Sequence, residues 1–265
     1  MKIHVLASGS AGNCALLEAG AGRILVDAGL SGSEIERRLA AVGADARDLA
    51  GILITHEHAD HVRGAGILAR RHRVPVFLTR GTHAAERRHL GELPFVEHVE
   101  PGREFELQGV GVRPFSTPHT RQGGGLADPV AYCFFRGGAK AGYATDLGHP
   151  TGLMAQHLAG CRLLVLEFNH DPGLLVSGPY PWPVKQWIKG QGGHLSNEQA
   201  ARLLERVLHD RLDGLVLAHL SETNNTPELA LGAARGVLRR FRLEERVALH
   251  VAGPDVPVTI VLRQS

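Results

Sequence analysis

The run Thr55-His56-Glu57-His58-Ala59-Asp60-His61 gathers three imidazoles and an aspartate into one short segment. Such a set is costly to hold together without a cation, and imidazole is the commonest protein metal ligand. In an extended chain alternate side chains share a side, so His56 and His58 would face one ion, and a turn would carry Asp60 and His61 toward a second. The spacing suits two adjacent metal ions, so metal chemistry is expected. The 16 histidines of the chain point the same way. Sulfur is excluded from the donor set: Cys14, Cys133 and Cys161 are widely spaced, with no Cys-x-x-Cys pair. Nitrogen and oxygen donors suit zinc or manganese.

A loop of this kind needs a rigid strand behind it. Gly51 to Thr55 is an apolar β segment that feeds the motif, followed by a helix over 62–73 and a strand over 74–79. Before it, short apolar runs bounded by Gly and Ser predict strands over 3–7, 14–19 and 23–27. Ser31 to Glu34 has capping-box spacing for a helix that ends near Gly43. Strand-like runs follow at 104–107, 110–115, 130–136, 139–144 and 162–168. Ser196 caps an amphipathic helix to His209, and a strand over 215–218 follows. Thr226-Pro227 starts a further helix to about Phe241, with strands at 247–251 and 258–262. Two β-rich halves that each end in helices predict an αββα sandwich of the α/β class. Gln122 to Gly125 and Gly190 to Gly193 are glycine-rich enough to form mobile loops.

The chain has 265 residues, of which 43% are hydrophobic and 21% charged, the balance of a globular protein with a real core. One domain over 1–265 is expected. No apolar run approaches the ~18 to 20 residues that span a bilayer, and the N-terminus lacks a signal-peptide core, so no membrane partner and a cytoplasmic location are expected. The net charge of +2 is too small to identify a nucleic-acid partner by itself.

At the motif the chain resembles the metallo-β-lactamase fold superfamily, whose His-x-His-x-Asp-His signature is matched by His56, His58, Asp60 and His61. The resemblance implies further ligands at His119 in Ser-Thr-Pro-His, Asp146 in Tyr-Ala-Thr-Asp-Leu-Gly and His219 in Leu-Ala-His-Leu-Ser. His56, His58 and His119 would hold one ion, Asp60, His61 and His219 the other, and Asp146 would bridge. Asp27 in Leu-Val-Asp-Ala-Gly would support the ligands from behind.

Two more residues, Glu167 in Leu-Glu-Phe-Asn-His-Asp and His194 in Gly-Gly-His-Leu-Ser-Asn, are similar to a proton-donating pair in the nuclease branch of the superfamily. A departing sugar alkoxide needs such a proton. With Asp60 they form the expected catalytic set. Ser8-Gly-Ser-Ala-Gly-Asn13, Glu167 to Asp171, Gly178 to Trp182, Gly193 to Asn197 and His219 to Asn225 resemble the bacterial WalJ (YycJ) group. That resemblance implies a 5′-to-3′ exonuclease acting on DNA with a hydroxide bridging two ions ~3.5 to 4 Å apart. The chain departs from the group at Thr120 to Leu126, a glycine-rich insertion before Asp128-Pro129. The interval from Asp146 to His219 is too short for a β-CASP insertion, and that from His119 to Asp146 too short for a tRNA-holding arm.

Candidate phosphate contacts are Arg70 to Arg73, Arg87 to His89, Lys185 to Lys189 and Arg239 to Arg242. Lys185, Trp187 and Lys189 are favoured because Trp182 and Trp187 add stacking surface. Asn224 and Asn225 can hold substrate oxygens. The competing functions are a small-molecule cyclic phosphodiesterase, a thioester or lactone hydrolase, and a regulatory protein that retains the fold.

Overall fold

The structure, a computed structural model, describes residues 1–120 and 128–263. The expected Gln122 to Gly125 loop and most of the Thr120 to Leu126 insertion lie outside the described residues. Strands β1 (Lys2–Ala7), β2 (Cys14–Ala19), β3 (Gly22–Val26), β4 (Gly51–Leu53), β5 (Val76–Leu78) and β6 (Val96–His98) build the first sheet. Strands β7 (Phe105–Leu107), β8 (Val110–Ser116), β9 (Val130–Arg136), β10 (Ala139–Ala144), β11 (Leu163–Glu167), β12 (Gly214–Ala218) and β13 (Ala248–Val251) build the second. The last strand, β14 (Val258–Val261), returns to the first sheet, giving the orders β14-β1-β2-β3-β4-β5-β6 and β13-β12-β11-β10-β9-β8-β7.

The helices are α1 (Gly32–Ala41), α2 (Ala59–Val62), α3 (Ala65–His72), α4 (Arg80–Leu90), α5 (Gly152–Leu158), α6 (Pro172–Ser177), α7 (Trp182–Ile188), α8 (Asn197–Val207) and α9 (Pro227–Arg240). Period-two alternation along the strands decides the layering. Ile3, Val5, Leu17 and Val26 of the first sheet share one buried cluster with Val112, Tyr132, Val165 and Val216 of the second. The opposite faces turn outward. Leu16, Leu25 and Ile52 meet Ile35, Leu39 and Leu68 of α1 and α3, and Leu164, Leu166 and Leu215 meet Met154, Leu203 and Val237 of α5, α8 and α9. The result is the αββα sandwich. Each fully buried Leu, Ile or Val contributes roughly 1.5–3 kcal/mol, so these three clusters hold the layers together.

Local signals set the helix ends. Ser31 accepts from the Glu34 N–H, Ser196 and Gln199 form a reciprocal capping box, and Thr226 accepts from Leu229 N–H ahead of Pro227. The single helix expected over 62–73 is instead two, α2 and α3, separated at Gly64. A Cβ there would collide with the Leu30 carbonyl, so the chain turns where only glycine fits. Helices α4, α5, α6 and α7 and strand β6 were not anticipated. Thr79, Thr151 and Asp171 each cap one of these helices by accepting an N–H bond. Among the described residues no helix is long and apolar enough to cross a membrane.

The direction of the strands places the site. β3, β4 and β5 run parallel in one sheet, and β10, β11 and β12 in the other. β8 lies antiparallel to β9, which lies antiparallel to β10, so β8 points the same way as β10. Their carboxyl ends deliver Asp27, the histidine motif, His119, Asp146, Glu167 and His219 to one edge of the sandwich, the usual place for a ligand crevice in such folds.

Candidate metal centre and active site

The motif takes two conformations in succession. His58 stands outside α2 in extended backbone (φ −65°, ψ 144°), whereas Asp60 and His61 lie within the helical turn. His56, His58 and His119 therefore converge as one group, and Asp60, His61 and His219 as another. Asp146 lies within reach of both His56 with His61 and Glu167, His194 and His219. In each group the donor atoms fall within 4.8 Å of one another. His56 Nε2 is 2.9 Å from His58 Nδ1, and His119 Nε2 is 3.4 Å from the same atom. Asp146 carboxylate oxygens lie 3.3 Å from His61 Nε2 and 3.7 Å from both His119 Nε2 and His219 Nδ1.

Outer hydrogen bonds fix which ring nitrogen faces the centre. His61 Nδ1 donates to Asp27 Oδ2 at 2.8 Å, and His119 Nδ1 donates to the Gly193 carbonyl at 2.8 Å, so each ring presents Nε2. Asp27 also accepts from the Thr55 N–H and hydroxyl. Sequence reasoning assigned no role to Asn13, Ser8 or Asn169, although two of the quoted motifs contain them. Asn13 Nδ2 lies 3.2 Å from Asp60 Oδ2 and 3.0 Å from His61 Nε2. Ser8 Oγ accepts from the His219 N–H, and Asn169 donates to the His219 carbonyl.

The electrostatics test whether cations fit. Burial pushes His56 well below the usual imidazole range, with the neighbouring rings adding to it, and burial holds His119 down at about 4 against Asp146. Both present lone pairs. Burial also opposes charge on His61 and His219, but Asp27, Asp146 and Asp60 outweigh it at His61, and Asp146, Asp60 and Glu167 raise His219 to about 10. In the protein alone, protons thus balance the buried carboxylates. Divalent cations would replace them and leave neutral ligands. Asp146 Oδ2 and His219 Nε2 are buried with no hydrogen-bond partner in the described structure, as atoms aimed at a cation would be. The donor set fits metal.

Glu167 ends β11, fully buried. Its Oε2 accepts the Leu147 and Leu195 N–H groups at 3.0 Å each, and its Oε1 lies 2.8 Å from His194 Nδ1. Burial raises the Glu167 carboxyl, yet His194 and His219 outweigh it and hold it well below the usual range. His194 Nδ1 is also 3.6 Å from Asp146 Oδ1. Trp187 stands over this corner, its ring edge-on to His194 at 5.4 Å between centroids and 6.1 Å from His119.

The other candidate substrate contacts lie elsewhere. Lys185 Nζ donates to the Val176 and Gly178 carbonyls at 2.7 Å each, pinning α7 to α6. Lys189 Nζ sits 5.0 Å over the exposed Trp182 ring. Asn225 is buried, donating to Phe168 and Asn169 carbonyls and pairing with Asn197, and Asn224 is buried against Ser221. Neither asparagine is offered to the cleft as a surface turn residue would be. Of the histidines that competed with His119, His149 donates to the Gln191 carbonyl and His170 bridges to Ser196.

An αββα sandwich with His/Asp clusters at the carboxyl ends of its strands defines a metal-dependent hydrolase. A model of the β-lactamase superfamily domain matches residues 22–220. Exodeoxyribonuclease YycJ of Bacillus anthracis is 35% identical over 98% of this chain and 99% of its own length. Exodeoxyribonuclease WalJ of Streptococcus pneumoniae is 36% identical over 86% of this chain and 85% of its own. In fold, the chain is similar to the metallo-β-lactamase fold protein YhfI of Bacillus subtilis, with a TM-score of 0.73 at 15% identity over 98% of each chain. The chain belongs to the metallo-β-lactamase fold superfamily and, within it, to the YycJ/WalJ group.

Proposed function

We propose that the protein is a dinuclear, metal-dependent DNA exonuclease working from the 5′ end, folded as a single domain over 1–265 without a β-CASP insertion. His56, His58 and His119 would hold one ion and Asp60, His61 and His219 the other, with Asp146 within reach of both groups, and zinc or manganese would suit these donors. When bound, the ions supply acidified water and positive charge beside the scissile phosphate. The chain's own residues do the rest. Asp27 and the Gly193 carbonyl fix the ring orientation of His61 and His119. Glu167 orients His194 and sets a compensating negative charge beside it. With Nδ1 engaged by Glu167, Nε2 is the atom from which a proton passes to the departing sugar oxygen. Trp187 offers an aromatic wall against which a terminal base can stack.

The observation that carries this reading is the 2.8 Å Glu167–His194 pair set against Asp146. Only a poor leaving group such as an alkoxide needs a proton there, which favours a nucleotide phosphodiester over a thioester, whose thiolate departs unprotonated. The names of the relatives support DNA as the substrate, and such a substrate would place the work in the cytoplasm. The test uses duplexes labelled at either end with manganese or zinc: shortening should proceed from the 5′ terminus and spare a closed circle. If no DNA is shortened while a cyclic phosphodiester is turned over, the exonuclease reading is wrong.

A further inference from the structure

The reading above leaves α4 without a role. It reads Arg80-Gly-Thr-His-Ala-Ala-Glu-Arg-Arg-His-Leu90, and its i, i+3, i+7 spacing puts Arg80, His83 and Arg87 on one face. Together with His98 of β6 they line a cavity of about 380 Å³. His83 Nδ1 lies only 3.0 Å from His98 Nε2. Among the described residues neither Arg80 nor Arg87 makes an ion pair or a hydrogen bond from its guanidinium. The acid on the helix, Glu86, is buried with His89 2.5 Å away, and Glu92, at the cavity rim, pairs with none of these cations.

Most cations of the other basic clusters are already committed. Arg70 donates to the Leu90 and Glu92 carbonyls, Arg71 and His72 pair with Glu36, and Arg73 lies over Phe95. Lys185 is held by carbonyls, and Arg239 and Arg240 pair with Glu244 and Glu205. Crowding four cationic or protonatable groups around an open cavity without acidic partners works against stability, and a bound anion would relieve it.

The cavity is placed to serve the metal centre. β4 and β5 are parallel neighbours, so the start of α4 emerges on the same edge as the His56 to His61 loop. Thr79 donates to the Asp128 carbonyl, and a Cβ on Gly81 would press on Asp128. Asp128 and His119 both line a second cavity of about 540 Å³, along with Thr120, His149 and Gln191. The first turn of α4, which carries Arg80, thus packs against a residue that shares a cavity with His119.

We infer that Arg80, His83, Arg87 and His98 form a phosphate-binding subsite that holds the backbone of a nucleic-acid strand leading away from the metal centre. This rests on the nuclease reading for the identity of the strand. Backbone contacts of this kind position the strand without reading sequence.

The experiment is fluorescence anisotropy with the full chain stripped of metal, so that nothing is cleaved, using a long single-stranded oligonucleotide and thymidine monophosphate over a range of salt. Arg80→Glu/Arg87→Glu is compared with Arg211→Glu/Arg235→Glu, which changes net charge equally elsewhere, and melting temperature reports folding. The first variant should bind the oligonucleotide at least about tenfold more weakly than the second. Its log–log salt slope should be shallower by about 1.4, at ~0.7 for each phosphate of a single strand that is no longer neutralised. Arg87→Ala, at an exposed position, should give a smaller shift in the same direction, which keeps the test readable if the double variant misfolds. Equal affinity and slope in the two double variants, or loss of monophosphate binding with strand binding intact, overturns the subsite. A wild-type chain that shortens end-labelled DNA no better than Arg80→Glu/Arg87→Glu at any salt does the same and leaves the nuclease reading standing. Arginine-dependent strand binding by a chain that never shortens DNA supports the subsite and sinks the nuclease reading. A wild-type chain that does not bind the strand at all overturns both.

Discussion

His194→Ala separates proton donation from metal binding. Removing the imidazole takes from Glu167 its 2.8 Å partner, but the Leu147 and Leu195 N–H groups stay on Oε2 at 3.0 Å, and His219 Nδ1 remains 3.4 Å from Oε1. Glu167 is therefore still held, and the structural loss is one charge-assisted hydrogen bond, about 1.5–3 kcal/mol. The His194 side chain is 11% exposed, so water can fill much of the space it leaves. The fold and both ions should survive. Loss of the proton donor should lower kcat on DNA by ~10² to 10⁴, which is about 2.7–5.4 kcal/mol of barrier. Bis(p-nitrophenyl) phosphate should suffer far less, because p-nitrophenolate departs without protonation. Elemental analysis of the purified variant and parallel turnover of the two substrates form the assay. Equal losses on both substrates would refute the donor role, and a variant that loses an ion would show that His194 is a ligand.

Three further outcomes follow from the geometry. Asp146→Ala should cut the metal content from close to two ions per chain to one or fewer, because its carboxylate lies within reach of both ligand groups; two tightly held ions by elemental analysis would remove the shared role. Asn13→Ala takes an amide from beside Asp60 and His61, so a chelator competition should show affinity at that ion ~10- to 100-fold weaker. Unchanged affinity would leave Asn13 as loop packing through Gly9 alone. Chelation should lower the melting temperature, and restoring metal at about 100 times its dissociation constant should return ~2.7 kcal/mol; scans that superimpose with and without chelator would contradict a built metal centre.

The sheets were legible because their strands are short apolar runs between glycine and serine turns, and the amphipathic helix α8 because Ser196 and Gln199 box its start. Helices α6 and α7 were not, since Leu174, Val176, Trp182 and Trp187 carry no helical stripe; the Asp171 cap begins α6, and α7 starts at Trp182-Pro183 with no side-chain cap. The histidine motif was legible from composition, yet spacing gives no contact between His119 and Gly193, which are far apart in sequence and meet only when β8 and the loop before α8 share an edge. The surroundings of Lys185 were illegible for a related reason. Sequence shows charge but not its partner, and Lys185 spends its charge on two carbonyls, whereas Arg87, in a cluster not favoured over it, makes no ion pair among the described residues.

Backbone conformation explains why the remaining site residues resist prediction from pattern. Asp27, Asp146 and His219 each adopt a left-handed conformation, with φ of 58°, 57° and 55°. Each follows a strand whose side chains alternate between inner core and outer helix, and neither direction opens on the cleft. A single left-handed residue breaks that alternation and turns the next side chain along the sheet edge, at a cost of roughly 1–2 kcal/mol for a residue with a Cβ. Aspartate and histidine tolerate the region better than branched residues do, and three such positions at one edge are strain kept where it aims ligands. Glycine would relieve it but bring no donor atom. The same backbone turn that defeats strand periodicity as a guide to these residues brings the Asp146 carboxylate within reach of the His219 imidazole and sets Asp27 against His61, and hydrogen bonds behind them, among them those from Thr55 to Asp27 and from His219 to Ser8, hold the conformation.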